Sequence, residues 1–207
     1  AALRGLVAWG RYSRQPRTFV SVLKTKQTRR QDGEDGPCGD GGVSEIEFEA
    51  CESLVGDTGR QDARWELMSD KGSSQMWRRK VIAESDAKGQ WVYRARAVLE
   101  GEGLDSVLEA LTNTDIRTEW DSHCASMRRV SLLGDGVTEV IYSSVRFPFP
   151  LCDRDYVFYR RLVRRQGGGF MVARSARKGL VAEVEGVVRV DNFESHFAVV
   201  PRGDGKG

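Results

Sequence analysis

The sequence has few of the residues that metal sites and disulfide frameworks are built from. Its 207 residues include 4 cysteines and 2 histidines. The cysteines show no Cys-x-x-Cys spacing and have no histidine cluster beside them, so neither a zinc site nor a disulfide framework is expected. Cys124 directly follows His123, and in a strand two such neighbours point to opposite faces. We therefore expect no metal, no cofactor and no enzymatic activity.

Long apolar runs and a strong charge excess are also missing. No segment approaches the roughly 18 consecutive apolar residues that a membrane-spanning helix requires. The 32 Lys and Arg residues nearly balance the 30 Asp and Glu residues, which gives a formal net charge of +2. This balance gives no general reason to expect a nucleic-acid partner. We expect a cytoplasmic protein that contacts membranes only peripherally.

The first 42 residues differ in composition from the rest of the chain. Residues 1–31 contain basic residues and no acidic residue, and residues 32–42 are rich in Gly and Asp. We predict a disordered basic extension and a flexible linker over residues 1–42, and a folded domain over residues 43–207. The basic extension is suited to anionic lipid headgroups and, less well, to nucleic acid. Because the chain begins at Ala1 and not at Met, we expect it to be a piece of a longer protein.

The remaining residues predict many strands and few helices. Ser44 to Glu47 has the Ser-x-x-Glu pattern of a capping box, and the apolar residues after it recur at helical spacing to about Val55. A second helix is predicted from Leu104 to Leu111, and a short helical turn ends at Trp120. The rest alternates between apolar and polar residues, as antiparallel strands do, over 65–68, 76–83, 90–99, 127–133, 137–147, 156–164, 170–177, 183–190 and 195–200. This order predicts an α+β fold with a strongly curved antiparallel sheet.

The most distinctive stretch runs from Arg117 to Tyr159. It begins with Arg-Thr-Glu-Trp-Asp at 117–121 and contains Arg-Phe-Pro-Phe-Pro at 146–150 and Asp-Arg-Asp-Tyr-Val at 153–157. These motifs at this spacing resemble the START (StAR-related lipid transfer) domain, and most closely its members that transfer phosphatidylcholine. The resemblance covers residues 44–207. It implies the helix-grip fold, in which a curved sheet encloses a lipid cavity, and it implies that this chain is truncated before the C-terminal helix.

The resemblance also assigns candidate lipid contacts. Arg117 matches an arginine that binds the lipid phosphate, a task that suits a planar and permanently charged guanidinium. The alternative for Arg117 is a structural ion pair with Asp115 or Glu119.

Three further positions match the family's choline cage, in which aromatic rings hold a quaternary ammonium by cation–π attraction. Tyr156 matches one ring of the cage. Phe193 stands where the family has a tyrosine, and Ser143 stands where it has a tryptophan. Tryptophan gives the strongest cation–π attraction of the three rings, and its loss at Ser143 removes about 1 kcal/mol of headgroup selectivity. We therefore expect lipid binding without strong choline specificity. Core packing is the alternative role for Tyr156 and Phe193.

Glu139 and Arg160 form a further candidate pair. Arg160 shares a strand face with Tyr156, because the two are four residues apart. If Ser143 faces Tyr156 across an antiparallel pair of strands, then Glu139 faces Arg160. Placed in a cavity, as the resemblance implies, this acid and base would hydrogen-bond a lipid hydroxyl or carbonyl.

The resemblance therefore predicts non-catalytic binding of a single lipid and its transfer between membranes. A phospholipid is the expected ligand, a sterol or a ceramide is the alternative, and contact with the membrane surface is transient. A lipid-sensing regulatory domain of a larger protein is the alternative function.

Overall fold

A computed structural model describes residues 18–25, 42–56, 64–81, 90–165 and 167–201. In these residues the chain forms ten strands and three helices. The helices are α1 (Glu45–Gly56), α2 (Leu104–Thr112) and α3 (Arg117–Trp120). The strands are β1 (Thr18–Thr25), β2 (Glu66–Asp70), β3 (Ser74–Val81), β4 (Gln90–Leu99), β5 (Cys124–Leu132), β6 (Glu139–Val145), β7 (Arg154–Arg165), β8 (Gly168–Ser175), β9 (Val188–Val190) and β10 (Glu194–Pro201).

The strands join in one sheet. Their order is β2-β3-β4-β1-β10-β8-β7-β6-β5, and β9 pairs with β7 outside this path. The pairings are antiparallel except for the parallel contact between β9 and β7. The α+β class with a mostly antiparallel sheet is therefore confirmed. The described sheet is open, with β2 and β5 at its ends. The expected strong curvature is not seen in it, because no pairing in the described residues joins these two end strands.

Strand β1 corrects the prediction for the N-terminal region. Thr18–Thr25 pairs with β10 on one side and with β4 on the other, so β1 lies in the interior of the sheet. The sequence analysis had placed this segment in a disordered extension. That prediction gave more weight to the basic residues around the segment than to its own sequence. The segment reads Thr-Phe-Val-Ser-Val-Leu-Lys-Thr and is rich in residues that favour strands. Predictions for residues 1–17 and 26–41 fall outside the described residues.

Helix α1 covers one side of the sheet, which we call the α1 face. The helix begins with the predicted capping box: the Ser44 amide and the Ser44 hydroxyl both donate to Glu47 Oε2, at 2.7 and 2.8 Å. Its apolar side buries Phe48, Cys51 and Leu54. These side chains share a cluster with Val140, Val157, Tyr159, Phe170, Val172 and Ala198 of the sheet.

Helix α2 packs on the opposite side, which we call the α2 face. The helix and the sheet share a cluster of Leu99, Val107, Leu108, Leu111, Met171 and Val199, and Trp120 of α3 packs against it. The helix comes close to the sheet at Gly169, where an added Cβ would lie 2.5 Å from Leu108 Cδ1. The absence of a side chain at Gly169 therefore allows α2 to reach the sheet.

Two strand boundaries differ from the sequence prediction. Strand β8 begins at Gly168 and not at Phe170, because only Gly167 in this glycine run has a positive φ, of 75°, and forms the turn. Strand β9 covers only Val188–Val190 of the strand predicted over 183–190. The chain turns at Gly186, where φ is 77°, before β9 can begin.

Candidate functional site

Strands β6 and β7 place polar and aromatic residues on the α2 face. Their register pairs Ser143 with Tyr156 and Glu139 with Arg160. Residues directly opposite each other in an antiparallel pair point to the same side of the sheet. The register expected from the sequence is therefore confirmed, and it brings an acid and a base together inside the protein.

Glu139 and Arg160 form a largely buried ion pair. Arg160 Nε donates to Glu139 Oε2 at 2.9 Å, and Arg160 Nη2 lies 2.7 Å from the same oxygen. Nη2 also donates to the carbonyl oxygen of Thr112, at the end of α2, at 2.7 Å. The Arg160 side chain is 4% exposed and that of Glu139 is 23% exposed. Burial lowers the pKa of Arg160, and the neighbouring carboxylate opposes this shift.

Arg117 begins helix α3 and is held by two neighbours. Its Nη2 and Nε donate to Asp121 Oδ2 at 2.7 and 3.1 Å. Its guanidinium carbon lies 4.1 Å from the centre of the Trp120 ring, a cation–π contact. The sequence analysis named Asp115 or Glu119 as the partner of a structural ion pair, and both are wrong. Asp121 is the partner because it lies four residues on, about one helical turn away on the same side of the helix.

Three aromatic rings cluster on the α2 face. The Phe193 ring centroid lies 5.4 Å from that of Tyr156 and 5.3 Å from that of Phe158, with the rings inclined at 68° and 56°. Ser143, opposite Tyr156, is buried. Burial raises the pKa of Tyr156 and that of Cys124. The rings pack with Ile141, Ala173 and Met127 in one cluster.

Arg117 acts electrostatically on both parts of the site. Its charge opposes the rise in the pKa of Cys124, and it adds to the lowering of the pKa of Arg160. The charges of Arg117 and Arg160 thus act on each other. Guanidinium groups favour an anionic ligand, and aromatic rings favour a cationic or apolar one.

A small cavity on the α1 face is a different feature. Its volume is about 160 Å³, and its lining includes Val157, Ala176, Arg177, Lys178, Arg189 and Val190. Ligand pockets commonly measure about 300–1,000 Å³, so this cavity is too small for a lipid. The described residues contain no group of three or more His, Cys, Asp and Glu residues that could hold a metal ion. No helix in the described ranges has the length and apolar character needed to cross a membrane.

A sequence model of the START domain matches residues 45–206 of this chain. The chain belongs to the START domain family. The resemblance inferred from the motifs is thereby confirmed.

Curated relatives of this START domain include proteins named for lipid transfer. The phosphatidylcholine transfer protein of Bos taurus is 27% identical over 173 residues, which are 81% of this chain and 76% of that protein. That of Homo sapiens is 29% identical over 171 residues, covering 80% of this chain and 75% of that protein. The StAR-related lipid transfer protein 7, mitochondrial, of Homo sapiens is 26% identical over 147 residues. This match covers 70% of the present chain and 39% of the length of that protein.

Solved structures share the START fold at lower identity. Human STARD10 superposes with a TM-score of 0.60 at 17% identity, covering 78% of this chain and 69% of that one. Human StAR-related lipid transfer protein 5 gives a TM-score of 0.56 at 15% identity, covering 75% and 79%. These likenesses confirm the fold.

Five of the six candidate residues of this START domain lie on one side of the sheet. Those on the α2 face of β6 and β7 are Glu139, Ser143, Tyr156 and Arg160, and Phe193 contacts Tyr156 from the segment before β10. Arg117 stands apart on α3. Their contacts with a ligand remain predictions. Sequence reasoning missed Asp121, although its four-residue spacing from Arg117 was visible in the sequence.

Proposed function

We propose that this START domain binds one glycerophospholipid and transfers it between membranes without changing it chemically. Two relatives that each match about four-fifths of the chain are named phosphatidylcholine transfer proteins. The observation that carries the proposal is the grouping of arginines, aromatic rings and a buried ion pair around one face of the sheet. Burial of the acyl chains supplies the main driving force.

Arg117 is the proposed contact for the phosphate. Its side chain is 15% exposed, and Nε and Nη2 already donate to Asp121. A guanidinium has five N–H donors, so it can bind a phosphate oxygen while it keeps a carboxylate. The Trp120 ring beneath the guanidinium holds it in place. Arg117 is thus positioned before the lipid arrives, which reduces the entropy lost on binding.

The rings of Tyr156 and Phe193 are the proposed wall beside the headgroup. They meet edge to face, so the face of one ring remains available to a cation. Ser143 adds no ring opposite Tyr156. A quaternary ammonium would therefore gain less here than in a cage with three rings, by about 1 kcal/mol, and other phospholipid headgroups would compete.

The loop between β6 and β7 is the proposed membrane contact. Phe149 is 97% exposed and Leu151 is 56% exposed. Arg146 is exposed next to them, and Arg154 lies over the Phe147 ring at 4.4 Å. Exposed apolar side chains with basic neighbours suit the interface of an anionic bilayer. The cytoplasmic location remains a prediction, since one relative is named as mitochondrial.

The test is the lipid that co-purifies with the protein, identified by mass spectrometry. We expect about one phospholipid per wild-type chain and a loss of about tenfold or more in Arg117→Ala, because hydrogen bonds to charged groups contribute about 1.5–3 kcal/mol. Arg128→Ala is the matched control: Arg128 also stacks on a ring, Tyr142, at 5.1 Å, but on the α1 face. A well-folded protein with no lipid would refute the proposal. Co-purification of a sterol or a ceramide would indicate instead that Glu139 and Arg160 make the polar contact with the ligand.

A further inference from the structure

Strand β5 carries two adjacent arginines followed by a serine at a spacing that occurs once in this chain. The sequence Arg-Arg-Val-Ser-Leu occupies residues 128–132. Arg-Arg pairs also occur at 29–30, 78–79, 160–161 and 164–165, but none of these has a serine or threonine two residues later. A guanidinium binds carboxylates through two hydrogen bonds, so two arginines just before a hydroxyl suit a substrate groove lined with acidic residues. This pattern is typical of the substrates of basophilic serine kinases, which select their substrates partly by charge.

Both arginines and Ser131 are accessible from solvent. All three residues are exposed, and the side chain of Arg129 is 58% exposed. The arginines make weak contacts within the described chain. Arg128 lies over the Tyr142 ring at 5.1 Å, and Arg129 Nη1 lies 3.3 Å from Glu139 Oε1. Exposed contacts of these kinds contribute about 0–1 kcal/mol each, so a partner with acidic groups can replace them at little cost.

Strand β5 presents the motif as an extended chain at the end of the sheet. In the described residues β5 pairs with β6 on one side, and its other edge has no neighbouring strand. A bulge interrupts the pairing with β6 between Arg129, which lies opposite Ile141, and Ser131, which lies opposite Val140. A bulge disrupts the ladder locally, and edge segments of this kind open at low free energy. A kinase, which binds its substrate as an extended chain in a cleft, can therefore reach Ser131 in the folded protein.

We propose that Ser131 is a phosphorylation site for a basophilic serine kinase, which recognises it through Arg128 and Arg129. The Ser131 Oγ attacks the γ-phosphorus of ATP, and the bond from that phosphorus to the oxygen of the β-phosphate breaks. ADP leaves, and the hydroxyl proton passes to the catalytic aspartate of the kinase. The product carries about −1.5 to −2 charges at pH 7 beside two arginines. The site does not rest on the proposed function, because the reaction requires no bound lipid.

The experiment is phosphorylation of the folded full chain. The protein is incubated with labelled ATP and the catalytic subunit of cAMP-dependent protein kinase as the basophilic probe, and the labelled residue is mapped by mass spectrometry. We expect about one phosphate per wild-type chain, on Ser131, and none above background in Ser131→Ala. Ser126→Ala is the matched control: Ser126 is also exposed on β5, but His, Cys and Ala precede it, so the wild-type rate should remain. Arg129→Gln should lower the rate at low substrate concentration about tenfold or more, because hydrogen bonds to charged groups contribute about 1.5–3 kcal/mol.

The outcomes that would overturn this inference are specific. Folded wild type that takes up no phosphate, or takes it up on another residue, would show that Ser131 is not the site. An unchanged rate in Arg129→Gln would overturn recognition through the arginines. If Ser131→Ala fails to fold, the residue mapped in wild type decides. Each of these failures leaves the proposed function standing, since lipid binding is measured separately.

Discussion

Removing the Glu139 carboxylate is the most direct test of the buried ion pair. Glu139→Ala takes away the acceptor for two contacts from Arg160, at 2.9 and 2.7 Å, and leaves the guanidinium with only the carbonyl oxygen of Thr112. Leaving one partner of a buried pair unpaired destabilises a protein by about 3–5 kcal/mol. Because Glu139 is 23% exposed, water can replace part of its interaction. We therefore expect the free energy of unfolding to fall by about 3 kcal/mol, at the low end of that range.

Glu66 and Arg78 provide a matched control at the surface. They also face each other across neighbouring antiparallel strands, and Arg78 Nε and Nη2 donate to the carboxylate at 2.7 and 2.9 Å. The two side chains are 57% and 34% exposed. Water and dissolved ions screen such a pair. Glu66→Ala should therefore leave the free energy of unfolding nearly unchanged.

The assay is urea denaturation of the variants, followed by the fluorescence of the 5 tryptophans and analysed by linear extrapolation. A double variant, Glu139→Leu with Arg160→Met, should be more stable than Glu139→Ala, because an apolar pair leaves no charge unpaired. Equal losses in Glu139→Ala and Glu66→Ala would refute the reasoning. So would a double variant that is no more stable than Glu139→Ala.

Three further predictions follow from other parts of the molecule. Phe149→Glu should weaken binding to anionic vesicles by about tenfold, because burying a phenylalanine contributes about 1.5–3 kcal/mol. Val137→Glu, at the opposite end of β6, should leave this binding unchanged. Equal effects of the two substitutions in a vesicle sedimentation assay would contradict the membrane contact. Gly169→Ala should lower the free energy of unfolding by about 1–3 kcal/mol through its clash with α2. Gly134→Ala, with no atom within 4 Å of an added Cβ, should change it little, and urea denaturation compares the two. Burial raises the pKa of Cys51 to about 12 from 9.0. Between these two pH values the folded state therefore keeps the thiol proton, and the unfolded state releases it. The melting temperature should therefore fall more steeply above pH 9.0 in wild type than in Cys51→Ala, and parallel curves would contradict the assignment.

Much of the site could be predicted from the sequence because strand geometry is periodic. Side chains four residues apart in β7 must share a face, which placed Arg160 with Tyr156. A single assumed contact between Ser143 and Tyr156 then decided every other pair of β6 and β7. The capping box of α1 is local in the same way, since its donor and acceptor lie three residues apart.

Other features could not be predicted because they depend on distant residues. Strand β1 joins the sheet through β4 and β10, which lie far along the chain, and its basic surroundings suggested a tail. The complete burial of Ser195 in β10 has no signature in the sequence, because serine residues are mostly exposed. Its burial depends on the segments that pack around β10, and these are known only from the tertiary structure.

The sequence by itself determined the α+β class, the START family and the faces of β6 and β7. These rest on short motifs and on the two-residue period of strands, which are properties of neighbouring residues. Only the tertiary structure decided the place of β1, the contact of α2 with Gly169 and the isolation of Ser195 from water. The physical reason is that burial and pairing across the sheet depend on which distant segments pack together, and no local pattern contains that information.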